Sequence, residues 1–110
     1  MFDLAKFDIG QFEASAGEAA RLLRALGNER RLMILCQLAD GERSVGDLYP
    51  HVGLSQSALS QHLAVLRQEG VVATRREAQT VWYRIADPAA LKVVATLAEI
   101  FCPPNIEVAP

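Results

Sequence analysis

The chain has 110 residues, 51% of them hydrophobic, and a formal net charge of −2 at pH 7. This size suits one globular domain with a single core, and no apolar run approaches the roughly 18 residues that a membrane-spanning helix needs. Residues 1–10 carry two aspartates and no long apolar segment, so they do not indicate a secretory signal, and we expect a cytoplasmic protein.

The acidic charge lies mostly outside one segment of the chain. Between Leu54 and Ile85 there are four arginines and two glutamates, which give this segment +2 and leave −4 for the rest. Because binding to nucleic acid depends on where charge lies, a weakly acidic chain can still present a suitable surface to it.

Apolar spacing predicts two helices in the first part of the chain. The first runs from about Glu13 to Leu26, and Asn28 can cap a second helix over about 29–39. The second helix is apolar around much of its circumference, so we expect it to be the central core helix.

Capping signals predict the next two helices. Ser44 and Asp47 have the spacing of a capping box, which begins a short third helix that ends near Tyr49 or Pro50. A turn follows, and Ser55 is the candidate cap of a fourth helix over 56–69.

After the fourth helix, the composition and spacing of the residues change to those typical of β-strands. Residues 71–75 and 80–85 are rich in β-branched and aromatic side chains and predict a β-hairpin, with Arg75 and Arg76 at its tip. Asp87 and Pro88 have the pattern of a cap followed by the first residue of a last helix, which runs to about Cys102.

The predicted order is α-α-α-α-β-β-α, a mainly α fold with a small β-hairpin. Two helices joined by a tight turn and followed by a hairpin indicate a winged helix-turn-helix. The predicted domain covers 13–102, after an N-terminal extension over 1–12 and before a disordered tail over 103–110.

The fourth helix has two different sides. Leu59, Leu63 and Leu66 form an apolar stripe that can dock the helix on a core. The opposite side is polar, short and uncharged, with Gln61 near its middle, where a solvated face would favour Lys and Glu. In a DNA major groove Gln can pair with adenine and Ser with several base edges.

We therefore predict a DNA-contacting surface on the fourth helix and the hairpin. Its residues are Ser55, Gln56, Ser57, Ser60, Gln61, His62, Arg75, Arg76, Gln79 and Thr80. The alternative is a capped amphipathic helix with an ordinary polar surface, followed by two solvated arginines. His62 lies at the edge of the leucine stripe, and we expect it either to be half-buried and hydrogen-bonded or to contact a phosphate.

Four segments resemble the ArsR family of bacterial winged-helix repressors. They are ALGNERRLMILCQL (25–38), SVGDL (44–48), LSQSALSQHLAVLRQEGVV (54–72) and RREAQTVWYRI (75–85). The resemblance implies a homodimer formed by the first and last helices, bound to operator DNA with an inverted repeat.

Many members of this family sense metals, but the ligands of those members are missing here. No cysteine pair lies around residues 45–47, and the last helix has no histidine. A closed zinc site needs about four N or S ligands. We expect no metal or other cofactor, and a metal-responsive repressor is the less favoured alternative.

Two cysteines remain, Cys36 on the second helix and Cys102 at the end of the last. From composition alone, the simpler interpretation is that Cys36 is a small core residue and Cys102 an incidental thiol. Their arrangement resembles the sulfide- and redox-responsive branch of the family, which implies a thiol switch whose bridging by persulfides or oxidants releases DNA. An antirepressor without a switch is the alternative. An enzyme is not expected, because the cysteines are far apart and form no Cys-x-x-Cys motif.

Overall fold

The computed structural model describes residues 3–102. Its elements are a short 3-10 helix (Leu4–Lys6), α1 (Ile9–Leu26), α2 (Glu29–Leu38), β1 (Arg43–Ser44), α3 (Val45–Val52), α4 (Gln56–Gln68), β2 (Val72–Glu77), β3 (Thr80–Ile85) and α5 (Pro88–Phe101). The predicted winged helix-turn-helix is confirmed, with α3 and α4 as the helix-turn-helix and β2–β3 as the wing. The predicted tail over 103–110 lies outside the described residues.

The sheet has one strand more than the sequence predicted. Its order is β1-β3-β2 with antiparallel pairing, so the short strand β1 extends the hairpin on the β3 side. Arg43 pairs with Tyr83 and Ser44 with Trp82. Because Ser44 is also the cap of α3, this pairing fixes the start of the helix-turn-helix against the wing.

Two helix ends differ from their predicted positions. α1 begins at Ile9 rather than Glu13, because the Asp8 carboxylate accepts a hydrogen bond from the Gln11 amide at 3.1 Å and caps the helix earlier. α3 continues through Pro50 to Val52, since the side chains of Leu48 and Val52, four residues apart, are both buried in the core.

The core lies around α2, as predicted. This helix packs against α1, α3, α4, α5 and β3, and its Ile34 and Leu35 are completely buried. The core also contains buried residues of α3, α4 and α5, so these three helices pack on the same hydrophobic core. None of the helices within 3–102 is long and apolar enough to cross a membrane.

The two wing arginines do not lie at the tip of the hairpin. Pairing continues as far as Glu77 and Thr80, so Arg75 and Arg76 are inside β2 and the connecting turn is Ala78-Gln79. Ala78 adopts a left-handed conformation with φ of 56° to make this turn. The predicted turn over 76–79 was too long because no Gly or Asn marked its ends.

Candidate functional site

The recognition helix α4 is anchored along its length. Ser55 caps it, and its hydroxyl accepts a hydrogen bond from the Ala58 amide at 3.2 Å. Three leucines of the helix are at most 1% exposed: Leu59, Leu63 and Leu66. They are three or four residues apart, so successive turns of the helix each contribute a leucine to the core. The predicted docking stripe is confirmed, and the orientation of the rest of the helix follows from it.

The side of α4 opposite the leucines is open and uncharged. Ser57, Ser60, Gln61 and Ala64 are exposed there, together with Ser55 and Gln56 at the beginning of the helix. His62 is half-buried between the two sides. The helix therefore presents hydroxyl, amide and methyl groups to a partner. These groups can match the donors, acceptors and thymine methyls of a major groove.

A tight turn joins α3 to α4. Ser44 and Asp47 form the predicted capping box, in which the Asp47 amide donates to the Ser44 hydroxyl and the Ser44 amide to the Asp47 carboxylate. Gly53 ends α3 with φ of 64°, a conformation that side chains rarely adopt. A Cβ there would also lie 3.2 Å from the Arg30 guanidinium, so glycine suits the turn on both counts.

The wing presents four of the predicted residues, in two different environments. Gln79 and Thr80 are exposed at the turn, and Arg76 is exposed in β2. The Arg75 guanidinium instead donates to both oxygens of Glu42, at 2.8 and 2.9 Å, and to Glu77 at 2.8 Å. The hydrogen bonds that Arg75 donates to Glu77 and Glu42 raise the pKa of Arg75.

Cys36 and Cys102 line the same pocket, between α2 and α5. The pocket has a volume of about 230 Å³ and its other lining residues are apolar: Leu32, Val94, Leu97, Ala98 and Phe101. Both cysteines are free thiols exposed at its rim. Desolvation by the surrounding side chains raises the pKa of Cys36, and the charge of a Cys102 thiolate raises it further.

No group of three or more His, Cys, Asp or Glu that could hold a metal ion is found within residues 3–102. The pocket with the thiols supplies two sulfur atoms and no nitrogen or carboxylate ligand. A structural zinc site needs about four such ligands.

Two features of the site were missed by sequence reasoning. The first is the partner of Arg75 on the loop before β1, Glu42, which is 33 residues away and leaves no local signal. The second is the position of Trp82, whose ring lies under the Arg75 guanidinium at 5.6 Å. The spacing of Arg75 and Glu77, two apart in a strand, could have predicted their shared face.

The fold and the surface of α4 are those of a transcriptional regulator of the winged helix-turn-helix type. A model of the family described as bacterial regulatory protein, arsR family, matches residues 28–74. The transcriptional activator HlyU of Vibrio cholerae is 46% identical over 92% of this chain and 94% of its own length. The biofilm growth-associated repressor of Agrobacterium fabrum is 43% identical over 94% of this chain and 88% of its own.

A solved structure extends the likeness to three dimensions. The transcriptional repressor BigR from Xylella fastidiosa superimposes with a TM-score of 0.82 at 41% identity, over 89% of this chain and 100% of that one. The chain belongs to the ArsR family of bacterial transcriptional regulators.

Proposed function

We propose that the chain is a dimeric repressor that binds operator DNA when its thiols are reduced and releases it when Cys36 and Cys102 become bridged. The observation that carries the thiol part is the pocket that the two sulfur atoms share, in which Cys102 contributes to the raised pKa of Cys36. Cysteines that lay in unrelated surroundings could not be joined without moving a helix.

DNA recognition is assigned to the exposed side of α4 and to the wing. Ser57, Ser60 and Gln61 are exposed where a major groove would meet the helix, and the free amides at its N-terminus can bind a phosphate. Gln79 and Thr80 are exposed at the tip of the wing, which can reach the neighbouring backbone or minor groove.

Dimerisation is assigned to α1 and α5. Phe12 and Leu23 of α1 are 60% and 59% exposed, and Ile100 and Phe101 of α5 are 63% and 75% exposed. Exposed large apolar side chains of this kind are typical of a protein interface. A dimer with twofold symmetry carries two recognition helices and therefore fits an inverted-repeat operator.

The chemistry of the switch balances with a low-molecular-weight persulfide, RSSH. A thiolate attacks the terminal sulfur and releases the thiolate RS⁻, which leaves a protein persulfide; the second thiolate attacks its inner sulfur, releases HS⁻ and forms the disulfide. A protein persulfide that first attacks a second RSSH gains another sulfur and releases a second RS⁻; the resolving thiolate then displaces HS⁻ from it and forms a trisulfide bridge. Since the pKa of Cys36 is raised, we assign the first attack to Cys102 and the resolving attack to Cys36.

The test compares the wild type with Cys36→Ser and Cys102→Ser. Each reduced protein is titrated with duplexes selected from a random pool by the wild type, before and after glutathione persulfide, and its intact mass is recorded. We expect all three to bind when reduced. Only the wild type should then gain an internal bridge and lose affinity, by roughly 5–150-fold. Normal release of DNA by Cys102→Ser would exclude the switch.

An antirepressor without a switch is the second candidate, and it is favoured by the similarity to a protein named as an activator. In that case the chain would bind DNA with the same affinity in both thiol states and displace another DNA-binding protein. The same titration separates the two candidates. Unchanged affinity in a protein whose mass shows the bridge supports the antirepressor.

A further inference from the structure

The wing carries two neighbouring arginines, and the strand register separates them. Neighbouring residues in a strand project to opposite faces, and directly paired residues share a face. Arg75 pairs with Trp82 and Arg76 with Val81. The two guanidinium groups therefore lie on opposite faces of the same hairpin, although they are adjacent in sequence.

Arg76 lies on the face that carries the recognition helix. Thr74, two residues earlier in β2, is on the same face and pairs with Tyr83. Tyr83 packs on the core and lines a groove with Ser60 and Ala64 of α4. Among residues 3–102, Arg76 has no hydrogen-bond or ion-pair partner, so its charge is available to a ligand on that side.

Arg75 lies on the outer face and is paired with two carboxylates there. Its guanidinium bonds to Glu42 and Glu77 and stacks over the Trp82 ring at 5.6 Å from the centroid. Two carboxylates around one guanidinium leave this cluster with a net charge of −1. A DNA phosphate approaching Arg75 would be repelled by both carboxylates.

The same contacts tie two parts of the chain together. Glu42 belongs to the loop before β1, whereas Arg75 and Glu77 belong to β2. The cluster therefore holds the hairpin against the segment that leads into α3. The Nε of Arg75 donates to Glu42 and its Nη1 to Glu77, while the plane of the guanidinium lies over the indole. An ammonium carries its donors on one nitrogen and has no plane to lay on a ring.

We propose that the two arginines have different roles in the wing. Arg76 binds a DNA phosphate, while Arg75 is a positioning residue that fixes the angle of the hairpin through Glu42, Glu77 and Trp82. This assignment rests on the proposed DNA-binding function. It refines the prediction that both arginines contact DNA.

The salt dependence of DNA binding distinguishes a phosphate contact from a positioning role. Each phosphate contact contributes about 0.9 to the slope of log K against log salt concentration, whichever DNA sequence is used. Affinity for a mixed-sequence duplex is measured over a series of salt concentrations for the reduced wild type, Arg76→Gln and Arg75→Gln. We expect Arg76→Gln to make the slope less steep by about 0.9 per wing, and Arg75→Gln to leave it unchanged.

The fluorescence of Trp82, the single tryptophan of the chain, provides the second measurement. Arg75→Gln should change its emission, because the guanidinium leaves the ring, and Arg76→Gln should not. The conservative variants serve as controls. Arg76→Lys should keep the slope of the wild type. Arg75→Lys should still change the Trp82 emission, because a lysine has no planar group to lie over the ring. Circular dichroism verifies that each variant is folded.

The possible outcomes separate this proposal from the one on which it rests. An equal loss of slope in Arg75→Gln, or an unchanged slope in Arg76→Gln, overturns the division of roles while DNA binding stands. A wild type without salt-dependent binding to any duplex overturns the DNA-binding function and this assignment with it.

Discussion

The recognition helix and the last helix are attached to the same core in different ways. α4 is capped at its start and buries one leucine in each of its turns. α5 is also capped, by Asp87, but its buried residues, Ala90 and Val94, lie in its first half, and its last three residues are exposed. A helix buried along its whole length suits precise readout of DNA, whereas the exposed last turn of α5 gains nothing from the core of the single chain.

The difference between the two helices should have its largest effect on the stability of the fold. Leu63→Ala in α4 removes a side chain that is 1% exposed and should lower the free energy of unfolding by about 2–5 kcal/mol. Leu97→Ala in α5 removes a half-buried side chain of the thiol pocket and should cost clearly less. Urea unfolding at several protein concentrations measures both and separates dimer dissociation from unfolding. Equal costs would contradict the comparison.

The exposed side of α4 should affect DNA binding without affecting stability. Gln61→Ala removes an amide that can pair with a base edge, and we expect a loss of about 1–3 kcal/mol in affinity for the preferred duplex. Its unfolding free energy should stay within about 0.5 kcal/mol of the wild type, as for other surface substitutions. Gln68→Ala, two turns further along the same helix, is the matched control and should bind nearly normally. If both variants lose the same affinity, the bases are not read by the first turns of α4.

The cap of α4 should have a moderate effect on stability. Ser55→Ala removes the acceptor of the Ala58 amide and should cost about 1 kcal/mol in unfolding free energy. Ser57→Ala is the control, because its hydroxyl is exposed and accepts no bond from a helix amide. Thermal unfolding of the two variants beside the wild type gives the result. A destabilised Ser57→Ala with a normal Ser55→Ala would show that the cap contributes nothing.

The features that sequence reasoning predicted correctly depend on neighbours in the chain. Ser44, Ser55 and Asp87 cap their helices through amides two or three residues away, and the α4 leucines recur with the helical period. These signals are local, so they can be recognised without a structure. They were sufficient to define the helix-turn-helix and the docking of its second helix.

The features that were missed depend on distant parts of the chain. β1 has two residues and exists because Arg43 and Ser44 pair with β3, about forty positions later. Pro50 was expected to end α3, but burial of Leu48 and Val52 outweighs the helix-breaking effect of proline. The engagement of Arg75 depends on Glu42, which becomes its neighbour only after the sheet has formed.

The smallest expected effect concerns the acidity of a single thiol. Burial, and to a lesser degree the Cys102 charge, raises the pKa of Cys36 in the folded chain. Below the unfolded-state pKa of about 8.5 the thiol is protonated in both states and pH has no effect on stability through it. Above that value the unfolded chain loses a proton that the folded chain still holds, so stability falls as pH rises toward the folded-state pKa.

The rate of alkylation measures this shift directly, because the thiolate is the reacting species. In Cys102→Ser, where Cys36 is the remaining thiol, the rate against pH should have its midpoint above that of the same protein in denaturant. Burial is the larger cause, so most of the shift should survive the loss of Cys102. A midpoint at or below that of the unfolded chain would contradict the raised pKa of Cys36. The proposed order of attack, with Cys102 first and Cys36 resolving, would then lose its basis.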